Sequence, residues 1–371
     1  MTDSYSPHIT DLRSIKLDDP QSVVFLGDGE PQTAKSTIER LRALEADGRL
    51  EPDNYSLGGS VLALERRVAD ELGKEMAIWM PTGTLANHLA LKRHAGIKSR
   101  VVLQEQSHIY QDEGDALSRL SGITAIPLGH GQPYFTLEEL KSALRQSVTG
   151  RVLNPVGAIS IESPVRRQAG QVLPLDQMRA ITKLCNEEGI PTHLDGARIY
   201  MMSAATGIPV REYSSLFDSV YLSMYKYFGA PFGAVLAGPS EFIEGMFHDR
   251  RMFGSGLSSA YLIAGLSLNG IEGFADHYQN AFDKSTSLFI ELNRIPGLTV
   301  RAFENGSNIF ELLIGHEISE CHFTKTLLEA GIVLPLPDGN WPVPVIRVNT
   351  TILRQSNSDI VRAFAGAATV T

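Results

Sequence analysis

Between Met76 and Ser223 short apolar runs alternate with amphipathic stretches, and that alternation restricts the fold more than any other feature of the chain. Met76–Met80, Arg100–Leu103, Ala158–Ile161, Pro191–Asp195 and Ser219–Ser223 read as strands. Thr84–His94, Leu137–Arg145 and Leu175–Glu188 read as helices; in the last, Leu175, Met178, Ile181 and Leu184 share one face and Gly189 supplies the stop. Strands separated by helices cannot pair as hairpins. They must cross over and lie parallel, with helices covering both faces of the sheet. The predicted fold class is therefore α/β with a mainly parallel sheet.

On either side the pattern changes. Residues 1–50 read as an N-terminal arm and a helix over Gln32–Glu45, and Tyr55–Ser60 as a turn opening a second helix, Val61–Leu72, closed by Gly73. Beyond about Ala260 come a long helical stretch, Ala260–Ile295, strands at Leu298–Phe303 and Ile309–Leu313, and a helix over Ser319–Ala330. A Pro-rich link, Leu334–Gly339, a strand at Val345–Val348 and a final helix follow. The expected organisation is an arm and helix (1–50), a large α/β domain (51–259) and a smaller α+β C-terminal domain (260–371).

Composition narrows the function. The chain has 371 residues with 43% apolar, enough for a sizeable core, and a net charge of −9 that leaves no basic footprint for nucleic acid. No apolar run reaches the roughly 20 residues that span a bilayer, and Met1–His8 lacks the basic and apolar regions of a secretory signal. Cys185 and Cys321 are isolated, which suits a reducing cytoplasm. His88 and His94, six apart, lack a third metal ligand, so no metal is expected.

The chemistry concentrates at two places: His193-Leu194-Asp195-Gly196-Ala197-Arg198 and Ser223-Met224-Tyr225-Lys226-Tyr227-Phe228-Gly229-Ala230-Pro231. An Asp closing one strand and a lone Lys following the next is the pair that pyridoxal 5′-phosphate (PLP) chemistry needs. The Lys amine forms a Schiff base with the cofactor aldehyde, and the carboxylate keeps the pyridine nitrogen protonated so that the ring accepts electrons. Ser223-x-x-Lys226 also matches the nucleophile motif of penicillin-binding enzymes, but neither Ser-Asp-Asn nor Lys-Thr-Gly occurs in the chain. Open α/β sheets bind ligands at the carboxyl ends of their strands, and other candidates cluster there. Thr82, Gly83 and Thr84 open a helix whose unpaired N–H groups suit a phosphate; Thr82 serves equally well as a plain N-cap. His108 follows a strand and can stack on a planar ring, or be an ordinary loop histidine. Glu113 can orient it, or simply begin a helix. Arg198 and Arg347 offer planar forks for a substrate carboxylate, with an internal ion pair the alternative for Arg347.

Taken together, Pro81–Asn87, His108 with Glu113-Gly114, His193–Ile199, and Lys226 with Gly229–Gly233 resemble the L-threonine aldolase family, in the β-eliminating-lyase branch of fold-type-I PLP-dependent enzymes. The likeness runs from about Tyr55 to Gly256. It implies a fold-type-I, transferase-like large domain and a homodimer or homotetramer whose sites are completed across subunits. It implies His108 stacked on the ring, Asp195 at the pyridine nitrogen and Lys226 as the cofactor-bearing lysine. Arg198 and Arg347 then lie near the substrate carboxylate, with Ser223 and a neighbouring subunit's Tyr55 as phosphate contacts. Two positions depart from the family pattern. Val165 stands where a candidate base histidine is usual, and Ser258 where a phosphate-binding arginine is usual, an absence that Arg250 or Arg251 can offset.

The expected activity is PLP-dependent carbon–carbon lysis of a β-hydroxy-α-amino acid, threonine-like, to glycine and an aldehyde. With Val165 in place, the base is His108 or a water that it orients with Glu113. Arg166 and Arg167 are expected to add an anion site favouring an acidic or bulky substrate. The alternatives are β-elimination or transamination on the same scaffold, and PLP binding without turnover.

Overall fold

A computed structural model describes residues 7–335 and 344–369. Seven strands form the principal sheet: β1 Met76–Met80, β2 Arg100–Gln104, β3 Thr124–Leu128, β4 Val156–Glu162, β5 Thr192–Asp195, β6 Ser219–Ser223 and β7 Ala234–Gly238, in the spatial order β1-β7-β6-β5-β4-β2-β3. The pairs β2–β3, β2–β4, β4–β5 and β5–β6 are parallel. Only β7 runs antiparallel to its neighbours, β1 and β6. The loop 224–233 returns the chain directly from β6 to β7, so no crossover is needed there. That loop carries Lys226.

Two strands escape the sequence pattern for physical reasons. β3 is an edge strand with Pro127 inside it, tolerated because an edge has one unpaired side. β7 is a short, fully buried run, Ala-Val-Leu-Ala-Gly, without alternation. The helix Gly83–Ala95 packs Leu85, Ala86, Leu89 and Ala90 against Met80, Tyr221, Ala234 and Leu236 of the sheet. That packing fixes the helix N-terminus beside the carboxyl ends of β5 and β6.

The contacts divide the chain into two compact units, Ile38–Glu272 and a second formed by the residues up to Thr37 with those from Gly273 onward. These differ from the expected boundaries at 50/51 and 259/260. The N-terminal segment joins the second unit because Val23–Val24 pairs in parallel with Ile332–Val333, and Val23 and Phe25 enter a core with Leu288, Phe323, Ile346 and Phe364. The expected single helical stretch 260–295 is two helices, Tyr261–Ile271 and Phe274–Leu292, broken at Gly273 with φ 67°. A left-handed residue stops a helix, and glycine adopts that conformation without a Cβ clash. Strands β8 Leu298–Ala302, β9 Ile309–Ile314 and β10 Val345–Arg347 form an antiparallel sheet in the order β10-β9-β8. The Pro-rich link from Leu336 onward lies outside the described residues. Among the described residues no helix is long and apolar enough to cross a membrane.

Candidate active site

The parallel strands bring polar residues to one edge. Glu162, Asp195 and Tyr221 are direct neighbours in register across β4, β5 and β6. In front of them lies a cavity of about 280 Å³, near the small end of the roughly 300–1,000 Å³ typical of ligand sites. Of the residues singled out from sequence, Thr82, Gly83, Thr84, His108, Asp195, Arg198 and Lys226 all line it. Asn87, Glu162, Tyr221, Tyr225 and Phe232, to which the sequence reading gave no role, line it too.

Asp195 is buried, and its oxygens are satisfied: Oδ1 accepts from the Ala197 amide at 3.2 Å, and Oδ2 from Asn87 Nδ2 at 2.9 Å. Asn87 Oδ1 in turn meets His193 Nε2 at 3.0 Å. His193 and, further along, His94 lie in the same network, and burial pushes their imidazoles down to about 3 and about 4. Between pH 6.5 and about 4 the unfolded chain therefore binds protons that the folded chain refuses. Stability rises with pH wherever the unfolded state binds more protons, so it is lost as pH falls through this window. The thermal midpoint should drop from pH 6.5 toward 4, and His94→Phe, which keeps an aromatic ring against Phe242, should flatten that dependence. Equal slopes for wild type and variant would contradict this assignment.

Opposite Asp195, His108 Nδ1 is 3.1 Å from Glu113 Oε1, and Glu113 is buried. The Glu113 carboxylate holds the His108 pKa above its ordinary value, against the effect of burial, and Asp195 and Glu162 act in the same sense. Burial raises the pKa of Glu113 itself. Glu162 fixes the loops: Oε2 accepts from the His108 amide at 2.5 Å and Oε1 from the Arg166 amide at 2.9 Å. Burial, and then the nearby Asp195 charge, raise the Glu162 pKa.

At the other end of the cavity, Thr82 caps the Gly83–Ala95 helix, its side chain accepting from the Leu85 amide at 3.2 Å. Gly83 is the first helical residue. A Cβ there would sit 2.1 Å from the Tyr221 hydroxyl oxygen, in a fully buried ring that cannot yield. Glycine thus lets the helix terminus approach closely enough for backbone N–H groups to meet an anion. Gly83→Ala should weaken retention of a phosphorylated ligand at least about tenfold, as the displaced terminus loses a charge-assisted hydrogen bond. Wild-type retention in an equilibrium dialysis measurement would contradict this.

Lys226 Nζ lies 5.7 Å from the centre of the Tyr221 ring and 5.3 Å from that of Tyr225. The residues present fit PLP. One cavity holds an amine, a buried carboxylate, an imidazole and a glycine-opened helix terminus, which are the groups that an aldehyde, a pyridine nitrogen, an aromatic ring and a phosphate each require.

Other expected residues lie elsewhere. Ser223 is fully buried at the end of β6 and does not line the cavity. Arg166 and Arg167 both bind Asp112, at 2.7 and 3.0 Å, and neither lines the cavity. That pairing removes the support for an extra anion site. Val165 is completely buried and bridges Gln171 through its backbone, so its position offers no base. Arg250 is no substitute for the arginine absent at Ser258: it is fully buried, donating to the Trp79 carbonyl at 2.7 Å and the Ser56 carbonyl at 3.1 Å. Arg251 lies over the exposed Tyr55 ring at 4.7 Å. Tyr55 and Ser56 are left-handed, with φ 50° and 63°. Such a conformation costs a non-glycine residue roughly 1–3 kcal/mol and persists only where neighbours impose it. Here Asp53 accepts from the Ser56 amide, and the Ser56 hydroxyl donates to the Leu257 carbonyl. Arg347 ends β10, in the second compact unit, opposite Ile309.

Comparison with known proteins gives the family and the fold. Residues 33–313 match the model of the β-eliminating lyase family. The low-specificity L-threonine aldolase of Candida albicans is 31% identical over 242 residues, covering 62% of this chain and 63% of that protein's length. Low-specificity L-threonine aldolase 1 of Arabidopsis thaliana is 24% identical over 81% of this chain and 86% of its own. A solved structure from Exiguobacterium sp. 255-15, provisionally named an aromatic amino acid β-eliminating lyase/threonine aldolase, superposes with a TM-score of 0.79 at 25% identity, covering 96% of this chain and 99% of that one. The expected α/β fold and family both hold: the chain belongs to the β-eliminating lyase family of fold-type-I, PLP-dependent enzymes.

Proposed function

We propose that this lyase cleaves a threonine-like β-hydroxy-α-amino acid to glycine and an aldehyde. The observation that carries the reading is the meeting of Lys226, Asp195 and His108 on the wall of one cavity. When bound, PLP supplies the electron sink for the bond broken at Cα. Lys226 Nζ, on the cavity wall, is the amine that would hold the cofactor aldehyde. The buried Asp195 carboxylate would face the ring nitrogen and favour its protonated form. His108 Nδ1 lies 3.1 Å from Glu113 Oε1; in the neutral tautomer that donates to this carboxylate, Nε2 would be bare to take the proton of the β-hydroxyl. Arg198, on the cavity wall, would bind the substrate carboxylate.

The chain is further read as a homo-oligomer. Tyr55, Leu57, Leu62 and Met252 are exposed, as are Tyr225 and Phe232 of the cavity wall, and a second copy would cover apolar surface of this kind. Tyr55 is exposed and does not line its own cavity, and we read it as a contact to a partner's phosphate. Light scattering should give at least a dimer. The free thiols Cys185 and Cys321 suit a reducing compartment such as the cytoplasm.

The test of the activity is a product assay with threonine, allo-threonine and phenylserine. Stoichiometric glycine and aldehyde support the reading. Ammonia with a keto acid would show β-elimination or transamination in its place, and a visible cofactor band that no amino acid perturbs would show binding without turnover.

A further inference from the structure

Asn87 and His94 are two turns apart on the Gly83–Ala95 helix and share a face. His193 and Asp195 are two apart on β5 and point to the same side of the sheet. With Ser219, at the start of β6, these side chains form one unbroken hydrogen-bonded chain. Its direction follows from one condition. Asp195 acts as a carboxylate and can only accept, so the Asn87 amide nitrogen faces it at 2.9 Å and the amide oxygen faces His193 Nε2 at 3.0 Å. Nε2 must then carry the hydrogen. His193 Nδ1 accepts from Ser219 Oγ at 2.8 Å, which uses the one hydroxyl hydrogen, so Ser219 accepts from His94 Nε2 at 2.7 Å. Every hydrogen in the chain points toward Asp195. Burial keeps both imidazoles neutral, as this arrangement requires. The second Asn87 amide hydrogen faces Glu113 Oε1 at 3.4 Å, on the partner of His108.

We propose that His193 is a positioning residue that, by fixing the Asn87 amide, holds the Asp195 carboxylate in place for the ring nitrogen of PLP. The proposal rests on the reading of Asp195 given above. Without the His193 donor, the Asn87 amide is free to turn its oxygen toward Asp195, setting two acceptors against each other. Hydrogen bonds aligned in one direction also polarise one another, so an interruption at one link reaches the end of the chain.

The test uses the full-length chain with PLP and two readouts, the dissociation constant by equilibrium dialysis and the pH midpoint of the visible cofactor band. His193→Leu should weaken PLP binding about tenfold, the change carried by one hydrogen bond to a charged group, and should displace the midpoint. His193→Gln, which retains both a donor and an acceptor, should restore most of both. Ser219→Ala, which removes only a hydroxyl, should move both readouts in the same sense by less. The thermal midpoint of the cofactor-free chain is the control, because a purely structural role lowers it without moving the band. Wild-type readouts in His193→Leu overturn the proposal, as does a Gln variant no better than the Leu variant. If the Leu variant does not fold, unchanged readouts in Ser219→Ala overturn it. Asp195→Asn is measured alongside. Changes there with none at His193 refute the relay alone, whereas no change at Asp195 refutes the cofactor reading beneath it.

Discussion

Lys226→Ala protein will show no lyase turnover and will lose the cofactor's visible absorbance band. The loss follows from position and chemistry together. Lys226 is carried by the loop between the antiparallel pair β6 and β7, on the wall of the same cavity as Asp195 and His108. His94, His108 and His193 are already engaged with Ser219, Glu113 and Asn87. No histidine among these can replace an amine in forming an imine. The thermal midpoint of the cofactor-free variant should stay close to wild type, because Lys226 is only half-buried and belongs to none of the buried apolar clusters. A variant that still turns over threonine at a measurable rate would overturn the assignment of Lys226.

Asp195→Asn should lower kcat by about a thousandfold while the cofactor remains bound. The size comes from electrostatics. A carboxylate about 4 Å from a pyridinium at an effective dielectric near 20 contributes roughly 4 kcal/mol, and each 1.36 kcal/mol is about tenfold in rate. The asparagine keeps the volume and can still accept from the Ala197 amide, so the turn after β5 should survive. Its own NH2 group would face Asn87 Nδ2 or force that amide to turn, which disturbs the same link on which the His193 chain depends. The check is steady-state kinetics at saturating PLP. A loss below about tenfold would mean that Asp195 does not sustain the ring-nitrogen charge, since it would leave most of that electrostatic contribution unaccounted for.

Much of this was readable in the sequence, and the exceptions have causes. The strands from Met76 to Ser223 stand out because parallel, doubly covered strands must be apolar throughout and are separated by amphipathic helices. β3 was hidden by Pro127 and β7 by its length. The boundary at Gly273 was hidden because the helix Tyr261–Ile271 is apolar around much of its circumference and the periodicity runs on into the next helix. Asp195 and Lys226 were legible because a carboxylate or an amine at a strand end carries an obvious chemistry. Asn87 was not. An amide inside a helix has no signature until the fold shows what it faces, although its seven-residue spacing to His94 and the His193-x-Asp195 alternation together contained the hint. Glu162 had no role legible in the sequence, yet its carboxylate ties the His108 and Arg166 loops together. Arg166 and Arg250 were misread for the converse reason. A charged side chain suggests a ligand, and only the fold reveals that Asp112 or two backbone carbonyls already satisfy it.

The most direct measurement is borohydride reduction of the holoenzyme followed by proteolysis and peptide mass spectrometry. Reduction fixes the lysine–cofactor imine as a stable secondary amine, so the labelled peptide identifies the lysine. Stoichiometric label is expected on the peptide containing Lys226 and on no other. Label on a different lysine, or a reduced holoenzyme without covalent label, would contradict it.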